Sequence, residues 1–144
     1  TRLLDRRAAV QAALDVLRPG GVLFAAWICV FAPLRDAAIK YPEREALLLR
    51  EARFLEDGAY DGDGGFTEAY FAHPAEIEAF MAGFNLRPLA FLACEGIAAG
   101  HEEALNNLQG AAWDYWADLN YRLSKEPSLR GAADHLLYIG CKPG

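Results

Sequence analysis

Basic clusters, paired cysteines and long apolar runs are all missing from this chain, and each absence removes a class of function. Lys and Arg number 14 against 20 Asp and Glu, giving a net charge of −6 and an isoelectric point near 5.0. Neutralising a phosphate backbone needs a basic face, so nucleic acid is not an expected partner. Arg2, Arg6, Arg7 and Arg18 do gather in the first helix, but Asp5 and Asp15 dilute them, and they read as a solvated face. The uncharged run from Pro19 to Leu34 is too short for a bilayer span, so no membrane partner is expected. Cysteine is limited to Cys29, Cys94 and Cys141, with no Cys-x-x-Cys or Cys/His ligand spacing. A metal site is therefore not expected, and the three thiols read as small buried side chains of a reducing cytoplasm.

Self-contained hydrolytic chemistry is equally unsupported. Ser124 and Ser128 stand in no nucleophile-elbow context, and His101 with Glu102 and Glu103 reads as a solvated helix start. Asp57, Asp61, Gly62 and Glu68 fall at positions of a calcium loop, but Ala59 stands where an oxygen ligand is required. The stretch from Glu56 to Gly65 thus reads as a flexible acidic loop.

What is present is a globular composition, 53% hydrophobic and 24% charged, in one domain of 144 residues. A chain of this size can bury roughly 68–70% of its unfolded surface. The chain is organised around Val16 to Phe31, VLRPGGVLFAAWICVF. Pro19 stops a helix, Gly20 and Gly21 permit a tight reversal, and Val22 to Phe31 forms a strand without a charge. A strand apolar on both faces belongs inside a sheet covered by helices on both sides, typically a parallel one. The predicted class is α/β.

Around that strand the pattern alternates. A helix is predicted over Leu3 to Leu17, with Leu3, Val10, Leu14 and Leu17 on one face. Helices follow over Ala32 to Tyr41 and Glu43 to Asp57, then a short extended aromatic segment, Phe66 to Phe71. His73-Pro74 opens a helix with Ile77, Phe80 and Met81 on one face, ended at Gly83. A second strand over Leu86 to Cys94 carries Pro88 near its start, as an edge strand tolerates. Helices over Ala98 to Leu108 and Ala111 to Leu123 come next, the latter with Ala112, Trp116, Leu119 and Leu123 as its apolar stripe. His135 to Cys141 is the last strand.

The L-R-P-G-G of Leu17 to Gly21 before V-L-F-A-A, the H-P-x-E-I of His73 to Ile77, Gly83-Phe84, and the D-H-L-L-Y-I of Asp134 to Ile139 together resemble one family. They are similar to the C-terminal half of class I S-adenosylmethionine-dependent methyltransferases acting on small molecules, of methyltransferase types 11 and 25. The resemblance implies a Rossmann-like fold in which residues 1–144 form a partial domain: three strands, the last antiparallel between the other two, flanking helices, and a lid-like insertion over 32–72. It implies S-adenosylmethionine as cofactor, bound mainly by an N-terminal half. The glycine-rich turn after the first strand and the acidic residue after the second are not in this chain. The opening at Thr1, directly on a helix, is accordingly expected to follow an upstream part, and no cofactor-binding residue is assigned here.

Ligands of doubly wound sheets sit beyond the carboxyl ends of the strands. This places Cys29, Val30, Phe31 and Arg35 at the mouth, with Tyr60, Tyr70, Phe71 and His73 from the lid closing over a small-molecule substrate. His73 reads either as the cap of the helix that follows or as a base or substrate contact. Trp113 is either packing or a pocket wall, and Arg35 either a solvated or ion-paired residue at a helix start or a contact for an anionic substrate group. The expected activity is methyl transfer to a small molecule. The alternative is a non-catalytic binding or assembly module on the same half-fold. The edge of the 22–31 strand is expected to be completed by the N-terminal half or to drive self-association.

Overall fold

The computed structural model describes residues 5–43, 54–62 and 67–144. Its elements are α1 (Arg6–Val16), β1 (Val22–Ile28), α2 (Ala32–Lys40), α3 (Phe54–Asp57), β2 (Ala59–Tyr60), β3 (Ala69–Tyr70), α4 (Pro74–Met81), β4 (Arg87–Ala93), α5 (Glu102–Asn106), α6 (Ala111–Leu123) and β5 (His135–Cys141). Turns of 3-10 helix occupy Gly96–Ala98 and Pro127–Ala132. The class is mixed α/β. Leu3 of the first predicted helix, most of the helix predicted over 43–57, and Phe66 of the aromatic segment lie outside the described residues.

A three-stranded sheet in the order β1-β5-β4 forms the frame, and β5 runs antiparallel to both neighbours. Its register sets Trp27 against Leu136 and Leu136 against Ala93, while a bulge between Pro88 and Ala90 lets β4 start with a proline at the edge. Because side chains alternate along a strand, Leu136, Tyr138 and Gly140 of β5 all point to one face. That face is the core, where they meet Phe91 and Ala93 of β4, Val10 and Leu14 of α1, and Ile77 and Met81 of α4.

The turn before β1 ties the sheet to α1. Gly20 adopts φ +75°, a left-handed conformation that glycine takes without strain, and its N–H donates to the carbonyl of Lys142 at 2.9 Å. Lys142 in turn donates Nζ to the carbonyls of Leu14 and Leu17, at 2.6 and 2.7 Å. These are carbonyls that the end of a helix leaves without partners, and a cation there also opposes the negative end of the helix dipole.

Four expectations are corrected. β1 does not sit inside a covered sheet: it lies at an edge, and helices α1 and α4 cover one face only. Val22, Phe24 and Ile28 on its other face are exposed, Phe24 by 63%. Uniform apolarity could not distinguish the two faces. The edge is nonetheless partly closed at its carboxyl end, where Ala72 forms a parallel bridge to Cys29: Ala72 N donates to Ile28 O and Val30 N to Ala72 O. Of the thiols, Cys29 is buried, but Cys141 is half-buried and Cys94 exposed. Finally, the stripe predicted on α6 is not a core face, since no residue of α6 is buried. The predicted Ala98 to Leu108 helix is shortened to α5 by the turn at Ala99 and Gly100.

Among the described residues no helix is long and apolar enough to cross a membrane.

Candidate functional site

The carboxyl ends of β1 and β4 open on the same rim of the sheet, where β5 begins. β1 runs on into Cys29, Val30 and Phe31, and α2 starts there with Pro33 in its first turn, a position at which proline's missing N–H costs nothing. Arg35, one turn into α2, reaches across to β5 and donates Nε and Nη2 to Asp134 Oδ1 at 3.1 and 2.7 Å. Of the two readings open for Arg35, the ion pair is the one formed.

His73 takes the capping role in its geometry. Its Nδ1 accepts the N–H of Ala75 at 3.2 Å at the start of α4, leaving Nε2 as the nitrogen that carries the proton in the neutral ring. The imidazole stands edge-on to Phe31, ring centres 5.4 Å apart. Those two predicted residues are thus brought together. Tyr60 and Phe71 form a second pair at 5.7 Å, through the small β2-β3 hairpin that the sequence pattern did not reveal.

Tyr70 goes elsewhere. It faces α1, under the guanidinium of Arg6, and donates its hydroxyl to Glu76. Burial, then the hydrogen bond and charge of Glu76, push its phenol up to about 12. Such a raised pKa stabilises the fold below the unfolded tyrosine value near 10 and is lost as pH climbs from there through 12. In an ultraviolet titration of the folded chain a phenol step near 12 is expected, and Tyr70→Phe should remove it. A step that survives the substitution would place that proton on another tyrosine.

Glu95 is the residue that sequence reasoning missed. It lies two residues past the end of β4, and its carboxylate gathers the start of β5: Oε2 accepts the N–H groups of Asp134 and His135 at 3.1 and 2.8 Å, and Oε1 pairs with His135 Nδ1 at 2.7 Å. Burial alone would raise its pKa, but the backbone and side-chain hydrogen bonds from His135 outweigh that, and the carboxyl is held below its ordinary value. An acid next to a strand end carried no motif by which to find it. Burial pushes the Cys29 thiol up, and partial desolvation together with the charge of Glu95 does the same for the exposed Cys94, which disfavours the reactive thiolate at both.

Beyond Cys94 and Glu95 lies a recess of about 230 Å³ between α5 and α6, walled by Trp113, Trp116 and Glu102. A second of about 350 Å³ adjoins it, sharing Trp113, Ala117 and Asn120 and reaching Ser124. Trp113 is therefore a pocket wall. Asn120 donates Nδ2 to the carbonyl of Cys94 at 2.8 Å, and its Oδ1 is buried without a partner.

No family model matches this chain, and no curated protein resembles it closely enough to count as a match. At the rim Phe31 pairs with His73, and Arg35 and Glu95 both hold Asp134, Arg35 by its carboxylate and Glu95 by its N–H, while the indoles remain accessible.

Proposed function

We propose that this chain is the substrate-side half of an S-adenosylmethionine-dependent methyltransferase acting on a small molecule. The observation that carries the reading is the sheet: the order β1-β5-β4 with the last strand antiparallel between the other two is the order the resemblance calls for. The exposed face of β1, with Val22, Phe24 and Ile28, supports it further, because a Rossmann-like sheet covered on both faces needs more chain there than the described residues provide.

The residues described do not fit the cofactor itself. Nucleoside-binding turns join a strand end to a helix through several glycines, so that backbone approaches the ligand. β1 passes into α2 through Cys29, Val30 and Phe31, without glycine. Gly96 follows the end of β4 with a left-handed φ of +52°, but a Cβ there would stand 3.0 Å from Asn120 Oδ1, so α6 and not open space lies against it. In this reading the chain's own residues bind and orient the acceptor at the rim, and the cofactor is held by an N-terminal half. The protein would be cytoplasmic.

Calorimetry on these residues alone is expected to show no binding of S-adenosylmethionine at micromolar concentration, whereas the product of the complete coding sequence transfers labelled methyl groups to small acceptors. Micromolar binding by this chain alone overturns the division of labour. A second reading, a non-catalytic binding or assembly module, is favoured by the missing glycine-rich turn. A strand and glycine-rich turn encoded upstream of Thr1 support the enzyme, and a start codon immediately before it supports the module.

A further inference from the structure

α6 is anomalous for a helix in a domain of this size. None of its residues is buried, yet it carries two tryptophans and two tyrosines, with Trp113 exposed by 43% and Trp116 by 38%. Indoles left in water lose the apolar contacts that normally hold them, and where they wall a recess beside carboxylates they form a site for a specific kind of ligand. Both line the recess of about 230 Å³ beside Glu95 and Glu102.

The polar groups of that recess have one sign. Its lining includes two carboxylates and no lysine, arginine or histidine. Glu95 has both oxygens occupied by β5, so it supplies field and not a direct bond. Glu102 accepts the N–H of Gly100 at 3.0 Å through Oε1 and, as a carboxylate, keeps further acceptor capacity. Asn120 is oriented by its donation to the Cys94 carbonyl, which accepts only, and its unpartnered Oδ1 is buried, out of a ligand's direct reach. An anion would meet repulsion here. A cation meets two indole side chains and fixed negative charge, and indole is the aromatic ring that attracts cations most strongly.

We infer that the recess between α5 and α6 is a binding site for a small organic cation of the alkylammonium class, held against Trp113 and Trp116 with Glu102 as its charged partner. The ligand is small, since the recess falls below the roughly 300–1,000 Å³ of drug-sized sites. The inference stands on the recess alone and holds whichever reading of the function above survives.

Choline and its uncharged carbon analogue 3,3-dimethyl-1-butanol separate charge from shape. Each is titrated into the full chain at low salt while tryptophan emission is followed, with amide chemical shifts mapping the site. Saturable quenching by choline is expected, with the neutral analogue at least about tenfold weaker, the range that desolvated cation–aromatic contacts supply. Trp113→Ala should lower choline affinity by about tenfold or more, Trp113→Phe by less, and Glu102→Gln by a few-fold with a weaker salt dependence. Trp27, remote in the core cluster, should not change its amide shifts. Equal binding of the two compounds, no saturable binding of choline, or affinity untouched by Trp113→Ala in a chain whose circular dichroism is unchanged would each overturn the assignment.

Discussion

Leu136→Ala is expected to lower the stability of the chain by about 2–5 kcal/mol, the range for truncating a fully buried leucine. Leu136 has no exposed surface and sits near the start of β5, the one strand among the described residues that pairs on both sides, flanked by Trp27 on β1 and Ala93 on β4. Helices α1 and α4 close over it, so little can collapse into the space left behind. A domain of this kind has roughly 5–15 kcal/mol in total, which makes the loss a large fraction of the whole. Urea unfolding followed by circular dichroism measures it, and Leu136→Met, which conserves volume, should cost less than about 1.5 kcal/mol. A loss below about 1 kcal/mol for alanine would mean that the inner face of β5 at Leu136 is not part of the core.

The second large effect concerns the outer edge of β1. Its N–H and C=O groups alternate in direction, and since Cys29 N reaches Asp134 on the β5 side while Ile28 O receives Ala72 on the other, the even-numbered residues of β1 direct their backbone outward. From Val22 to Ala26 no described strand meets them, and no lysine, proline or charge discourages a partner. This chain alone is therefore expected to self-associate, its mass by light scattering rising with concentration above 15.8 kDa. Phe24→Lys, at an exposed position, and Ala26→Pro, which removes an outward N–H, should each restore the monomer. A stable monomer at high concentration, with the outward amides of β1 protected from hydrogen exchange, would show that the edge is already satisfied. The N-terminal half invoked above would then have no strand to complete.

Much of this architecture was legible in the residues. Pro19 and the two glycines marked the entry to β1, His73-Pro74 the start of α4, and Pro88 the edge position of β4, because each restricts or frees the backbone locally. The last strand was marked by the D-H-L-L-Y-I of Asp134 to Ile139, through the resemblance and not through a period of its own. What could not be read depended on partners distant in sequence. Val22 to Ile28 is apolar throughout, so nothing within it says which face meets α1. The β2-β3 hairpin consists of two residues on each side, too short for a period. Glu95 gained its role only when β5 folded back to place three donors beside it, and Trp113 became a wall only because α5 stands opposite.

The order of synthesis gives the sheet topology a further meaning. Neither β1 nor β4 pairs with the other; each waits for β5, which is translated after both, and Val22 meets Cys141 across nearly the whole chain. Lys142, which satisfies the end of α1, leaves the ribosome later still. A nascent chain stalled before His135 would hold helices, the small β2-β3 hairpin and the strands β1 and β4, but not the three-stranded sheet. Contacts this remote make folding slow and leave β1 uncovered while it waits, the condition in which chaperones bind.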